Sequence, residues 1–215
     1  MNQAIDVVVF GNPNYLQLPI VQTATEFDHL IPLMTETKCP KNYSELVKDE
    51  LNTLVDYQKE FTRLSEDTKK RYELYDTNLS QAIKRLFKSH GDSTNDLIDE
   101  IIESTLPLLL KIKFKYNRPR PQVLANYYKV SLFPKISASS DTPSFPSGHT
   151  FQMELVKETL GAMYPERYEY LQAMANEVSE QRLFYGLHYP SDIDFAKLCA
   201  KKIIQSKEWN KKYNL

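Results

Sequence analysis

Five glycines in 215 residues are too few for a chain built on tight β-turns. Hairpin corners need glycine or asparagine where φ becomes positive, and a β-rich chain of this length needs many of them. Twelve prolines stand instead between stretches whose apolar residues recur every three or four positions. From Ser44 onward Val47, Leu51, Leu54, Val55 and Phe61 share one helical face. Ser65 is placed to cap a second helix that buries Tyr72, Leu79, Ala82, Ile83, Leu86 and Phe87, and His90-Gly91-Asp92 ends it. Ser93 or Thr94 opens a third, with Leu97, Ile98, Ile101, Ile102, Leu108, Leu109 and Ile112 as its stripe; Pro107 should kink it. Asn117-Arg118-Pro119-Arg120-Pro121 breaks it. Further helices are expected near Ser147, from Pro165, and after Pro190 with Ser191 as cap. The expectation is an all-α fold, a compact bundle of about six or seven helices in one domain over 1–215. Residues 1–42 form an N-terminal arm of less regular pattern, with Ile5–Phe10 a short strand or apolar arm and Gly11–Asn14 a turn.

Charge narrows the function classes. With 27 basic and 28 acidic side chains the net charge is −1, so a broad basic surface for a nucleic-acid duplex is not expected. Any anion site must be a local gathering of cations. The longest apolar runs, Val7–Phe10 and Leu108–Leu110, fall far short of the roughly 20 residues a helix needs to cross a bilayer. Met1–Asp6 carry no basic start of a signal peptide. Cys39 and Cys199 have neither disulfide-framework nor metal-ligand spacing and read as two buried thiols. Together these features lead to the expectation of a cytoplasmic protein.

Three segments carry chemistry. Lys113–Pro121 places cations at a helix end and in the rigid turn after it, where prolines on both sides of Arg120 aim its guanidinium. A planar guanidinium suits bidentate contact with phosphate, and a lysine serves as a point charge. A solvated basic helix end would look the same in isolation. Pro143-Ser-Phe-Pro-Ser-Gly-His-Thr150 sets Ser147 as a helix cap, with Gly148 letting an anion approach free N–H groups and His149 beside it to move a proton. In Gln181–Asp192, Arg182 adds a cation, and Asp192 is positioned to accept from His188 Nδ1, which leaves Nε2 as a nucleophile. His29 and His90 lack such neighbours and read as surface or structural.

The three segments, in order and spacing, resemble the signature of the type 2 phosphatidic acid phosphatase (PAP2) superfamily, which includes class A acid phosphatases and vanadium haloperoxidases. The pattern Lys-x6-Arg-Pro, Pro-Ser-Gly-His, Ser-Arg-x5-His-x3-Asp is met by Lys113 to Arg120-Pro121, by Pro146–His149, and by Arg182, His188 and Asp192. Lys111 to Arg118-Pro119 also meets the first part; Lys113 with Arg120 is preferred because Arg118 then matches an extra arginine that many members carry. Gln181 stands where the pattern has serine, which bears on positioning rather than on chemistry. The resemblance covers a motif core over 113–192.

The resemblance implies an all-α bundle of the PAP2/vanadium haloperoxidase type and a phosphate cradle of Lys113, Arg120, Ser147, Gly148 and Arg182. His188 would attack phosphorus, Asp192 would orient it, and His149 would protonate the leaving oxygen and later activate water. His188 would start neutral and His149 charged. The expected function is metal-independent hydrolysis of a small phosphomonoester or pyrophosphate, with no cofactor and with vanadate as inhibitor. The alternatives are a vanadium-dependent haloperoxidase, with vanadate as cofactor, and a non-enzymatic phosphate- or headgroup-binding module. The substrate is expected to be water-soluble; peripheral membrane contact and oligomeric state are left open. Specificity elements are expected in Asn126–Asp141 and in the N-terminal region.

Overall fold

The computed structural model describes residues 5, 7–11, 17–88 and 91–215. Among these residues the secondary structure is helical, with no strand. Two one-turn helices, α1 (Pro19–Gln22) and α2 (Ile31–Met34), lead to α3 (Glu45–Phe61), α4 (Glu66–Thr77) and α5 (Leu79–Lys84). The longest, α6 (Asp92–Tyr116), is followed by α7 (Pro121–Tyr128), α8 (Gly148–Met163), α9 (Tyr168–Phe184), α10 (Pro190–Ile204) and α11 (Lys207–Tyr213). The all-α expectation holds, and seven of these helices have eight residues or more.

Local chemistry sets most of the boundaries. Ser44, Ser65 and Ser206 accept from the N–H groups of Val47, Thr68 and Trp209, satisfying donors that a helix start leaves open. The second expected helix is in fact two. Asn78 leaves helical geometry (φ −155°, ψ 76°), and its side chain accepts from Gln81 N–H at 2.9 Å, which starts α5 anew. The α6 helix begins at Asp92 rather than at Ser93 or Thr94, after Gly91 with φ 81°. It continues through Pro107 and ends at Asn117, whose φ of 49° is left-handed. Pro121 does more than break it, since as first residue of α7 it opens an eight-residue helix not expected from the sequence. Likewise α10 begins at Pro190 itself, so Ser191 lies inside it, and the last expected helix is divided at Ser206.

Helix α8 lies at the centre, packed by α9, α10 and α6, and buries Phe151, Leu155, Val156 and Leu160. Phe145, just ahead of it, stacks on Phe195 of α10 with centroids 4.1 Å apart. A second apolar cluster, with Val47, Leu51, Leu54, Leu124, Tyr189 and Ile193, joins α3 and α7 to the start of α10. The start of α8 therefore sits where the packed helices converge. In the N-terminal region, Asn42 donates to the carbonyls of Ile5 and Val8, and Phe10 N–H reaches Asn117 O, so residues 7–10 run as a tethered arm rather than a strand. His90 and residues 12–14 of the expected turn lie outside the described residues.

Gly186 closes the turn after α9 at φ +64°, and a Cβ there would lie 2.8 Å from Gln58 Nε2. That Gln58 amide holds both the N–H and the carbonyl of Phe133. Gly186→Ala is expected to lower stability by about 1–2 kcal/mol, the cost of a left-handed non-glycine residue. A urea midpoint equal to that of the wild type would refute this.

Candidate active site

The motif residues come together at the convergence of α6, α8, α9 and α10. His188, 1 % exposed, lies in the short turn between α9 and α10. Its Nδ1 is 3.2 Å from Asp192 Oδ2, and its Nε2 is 2.9 Å from Arg120 Nη1. A carboxylate can only accept, so Nδ1 carries the proton and Nε2 presents its lone pair, which Arg120 caps. Asp192 Oδ2 also accepts from Tyr189 N–H at 2.9 Å, joining the start of α10 to the histidine it carries.

Arg120 has no carboxylate partner among its hydrogen bonds. It donates to the carbonyls of Thr142 and Leu187, each at 2.8 Å, and of Ser139 at 3.2 Å. Burial, the neighbouring Arg182 charge and weak compensation bring it down to about 9. Lys113 is buried against Gly148 and donates to Pro143 O at 2.6 Å. Burial and then Arg120 push it well below the usual lysine range. Arg182 pairs with Asp76 Oδ1 at 2.5 Å and reaches Ser139 Oγ at 2.7 Å. Lys113 and Arg120 are buried near one another and near Arg182 without a carboxylate hydrogen-bonded to either, an arrangement that a bound anion would relieve.

That cavity, about 180 Å³, is lined by Lys113, Ser139, Thr142, Gly148, His149 and His188, with Leu109 on its apolar side. It adjoins a larger depression of about 480 Å³ bordered by Asp76, Thr77, Asn78 and Gln152. Another cleft, of about 550 Å³ between α3 and residues 131–135, contains none of the motif residues. Ser147 precedes α8 but does not cap it. Its Oγ donates to Thr150 Oγ1 at 3.1 Å instead, so the first N–H groups of α8 are not taken by the Ser147 side chain.

His149 and His188 are shifted in the same direction. Burial first, then Arg182, Lys113 and Arg120, push His149 well below the ordinary histidine value, although the Asp76 carbonyl that accepts from its ring works the other way. His188 is lowered too, by burial and Arg120 against the pull of Asp192. The groups that lower His149, namely Arg182, Lys113 and Arg120, are ones whose charge a bound anion would offset.

The two overlapping first motifs lie differently in the structure. Lys111 points away and pairs with Asp28 Oδ2 at 2.5 Å. Arg118 turns behind His188, donating to Asp192 Oδ1 at 2.5 Å, to Ser191 Oγ at 2.8 Å and to Glu50 Oε2 at 3.2 Å, and lies over the Tyr189 ring at 3.9 Å. Lys113 lines the cavity, and Arg120 meets His188 Nε2 on its wall. Sequence reasoning missed Asp76, Thr142 and Glu50, while Ser139 falls within the Asn126–Asp141 stretch expected to shape specificity. Glu50 gave a signal, being a carboxylate on the stripe of Val47, Leu51 and Leu54; Asp76 gave none. Of the other histidines described, His29 is exposed against Glu208. Cys199 is buried, Cys39 only half-buried, and burial pushes both thiols up to about 12.

The family model of the PAP2 superfamily matches residues 99–199. This stretch is a PAP2 superfamily domain. No curated protein matches the chain. The PAP2 match contains all eight motif residues, from Lys113 to Asp192, while Glu50 and Asp76 reach the site from outside it. A PAP2 superfamily match points to phosphatase or phosphoryl-transfer chemistry. Among the described residues, no group of three His, Cys, Asp or Glu is arranged to hold a metal ion, and no helix is long and apolar enough to cross a membrane.

Proposed function

We propose that this chain is a phosphatase that hydrolyses a phosphomonoester or pyrophosphate without a metal, through a phosphohistidine on His188. The observation that carries the reading is the state of His188: Nδ1 is tied to Asp192, and the Nε2 lone pair faces Arg120 at 2.9 Å among the cradle cations. A phosphoryl group entering the cavity takes over the Arg120 hydrogen bond and frees that lone pair for attack.

In this reading Lys113 and Gly148 N–H on the cavity wall, with Arg120 and Arg182 beside it, take the equatorial oxygens, and Ser147 Oγ turns from Thr150 to complete the cradle. Phosphoryl transfer asks for positioning and charge stabilisation more than for covalent help, which these donors supply. His188 Nε2 forms the bond to phosphorus as the bond to the leaving oxygen breaks. His149, on the same cavity wall, gives that oxygen a proton. In the second step His149 takes a proton from water, the water oxygen bonds phosphorus, and the Nε2–P bond breaks to release phosphate. A phosphate dianion offsets the cations that lower His149, so substrate binding itself raises it into its acid form.

The cavity takes a phosphoryl group and little more, so the leaving group extends past His149 and Gln152 into the adjoining depression. Its polar wall of Asp76, Thr77 and Asn78 favours a small water-soluble leaving group.

The pH profile carries a sign. kcat/KM reports the free enzyme, where both histidines are lowered, so both of its limbs lie on the acid side of the ordinary histidine value of 6.5. The alkaline limb of kcat lies higher, because the bound dianion raises His149. Coincident alkaline limbs would overturn that assignment.

The test of the function is phosphate release from p-nitrophenyl phosphate in EDTA, with vanadate as competitor. EDTA-resistant turnover and competitive inhibition by vanadate, a five-coordinate mimic, are expected. EDTA-sensitive, vanadate-resistant turnover would sink the reading. Halide oxidation by peroxide in vanadate-loaded protein, without phosphate release, would favour the haloperoxidase.

A further inference from the structure

Glu50 lies on α3, outside the PAP2 match, and is 5 % exposed on a face otherwise given to Val47, Leu51 and Leu54. A buried carboxylate on an apolar stripe needs partners. Its Oε1 accepts from Ser191 N–H, in the first turn of α10, at 2.6 Å, and its Oε2 accepts from Arg118. Arg118 in turn donates to Asp192 Oδ1, on the side of the carboxylate away from His188. The four groups form one buried line: Glu50, Arg118, Asp192, His188.

We propose that Glu50 is a positioning residue for His188, neutralising Arg118 so that Asp192 keeps a net negative charge for the imidazole. The proposal rests on the phosphohistidine reading above. Its basis is charge counting over adjacent groups. With Glu50 ionised, the cluster behind His188 carries one net negative charge; without it, Arg118 and Asp192 cancel. His188 would then feel Arg120 from the motif turn and Lys113 from α6 with nothing to offset them from behind, while Arg182 from α9 is paired with Asp76. His149 on α8 faces the same cavity. Cys39 and Tyr189 adjoin Arg118 and Asp192 but stay neutral, since burial raises both. The step served is the first, in which the imidazole gains positive charge as Nε2 bonds phosphorus. The hydrogen bond to Ser191 N–H gives Glu50 a second handle, holding the turn that carries Asp192.

Burial raises the Glu50 carboxyl, while Arg118 and the Ser191 N–H work against it. Asp192, with Arg118 and His188 against it, is held at about 2 despite its burial. As pH falls, Glu50 therefore protonates first, and the wild type comes to resemble its own amide variant.

The test is Glu50→Gln, which keeps the shape and an oxygen acceptor but removes the charge, with Glu50→Asp as the conservative control. The expected result is a loss in kcat of about ten- to a hundredfold, as for other partners that orient a working histidine. KM for p-nitrophenyl phosphate should change little. The acid limb of kcat/KM should move to lower pH, by about half a unit or more, because a lost negative charge lowers the His188 pKa. Glu50→Asp should recover part of the loss, and the gap between wild type and Glu50→Gln should narrow toward acid pH. A loss equal at every pH with an unmoved acid limb would overturn the proposal, as would kcat within twofold of the wild type. An NMR titration of the His188 imidazole, assigned with His188→Gln, reads the same shift without turnover. If it moves in Glu50→Gln while the wild type releases no phosphate, the phosphatase reading fails and the positioning role stands. If it does not move while the wild type is active, the positioning role fails alone.

Discussion

His188→Ala removes phosphate release from p-nitrophenyl phosphate, with a fall of at least about 10⁴-fold, as when a covalent nucleophile is lost from a site that works as a unit. Vanadate and phosphate still bind, because Lys113, Arg120, Arg182 and the α8 start remain. Binding is expected to hold or tighten, since the truncation removes the ring that caps Arg120 Nη1 at 2.9 Å. The fold tolerates the change: Arg120 keeps its three carbonyl acceptors, Thr142, Leu187 and Ser139. Isothermal titration with vanadate beside the activity assay separates the two effects. Residual turnover within a hundredfold of the wild type would mean that another group, or water directly, attacks phosphorus.

Asp192→Asn has the second large effect, and it falls on rate and stability together. An amide nitrogen in place of either oxygen faces a donor: Arg118 on one side, His188 Nδ1–H and Tyr189 N–H on the other. The imidazole loses its tautomer control, and kcat is expected to fall by about 10³–10⁴, as for the orienting carboxylate of a catalytic triad. Breaking a buried pair by removing one charge costs about 3–5 kcal/mol, although Glu50 remains to Arg118. The pH dependence follows from linkage. Asp192 is held at about 2, below its ordinary 3.8, so its contribution to stability is present above pH 3.8 and is lost as pH falls through 2. Urea unfolding of wild type and variant should therefore differ at neutral pH and converge at the acid end of that window. Equal stability at neutral pH would show that Asp192 is not ionised in its pair.

The fold class and the motif residues were legible in the sequence because both are short-range. Periodic apolar residues and serine caps act over a turn of helix, and Ser44, Ser65 and the Lys113–Arg120 spacing are all local. Misplaced boundaries came where two local signals compete. Pro121 reads as a breaker and also suits the first position of a helix, and the structure uses the second property in α7. Ser191 reads as a cap, but Asp192 takes that task through Tyr189 N–H, which leaves Ser191 to serve Glu50 and Arg118. Ser147 reads as a cap too, yet its hydroxyl goes to Thr150 Oγ1.

Long-range partners stayed hidden for a different reason. Glu50 meets Arg118 across 68 residues and Asp76 meets Arg182 across 106, and no spacing encodes such pairs. The sequence identifies Arg182 as a cation but not the carboxylate that holds it. The direction in which His149 shifts was hidden on the same ground, since it is set by Arg182, Lys113 and Arg120, which only the fold brings beside it.

Rapid alkaline quenching during turnover of substrate labelled at phosphorus, followed by peptide mapping, addresses the phosphohistidine on His188 most directly. Acid-labile, base-stable label is predicted on the peptide bearing His188, with more of it in His149→Ala given p-nitrophenyl phosphate, whose leaving group needs no proton. Turnover with no label in either protein, or label on a residue other than His188, would contradict it.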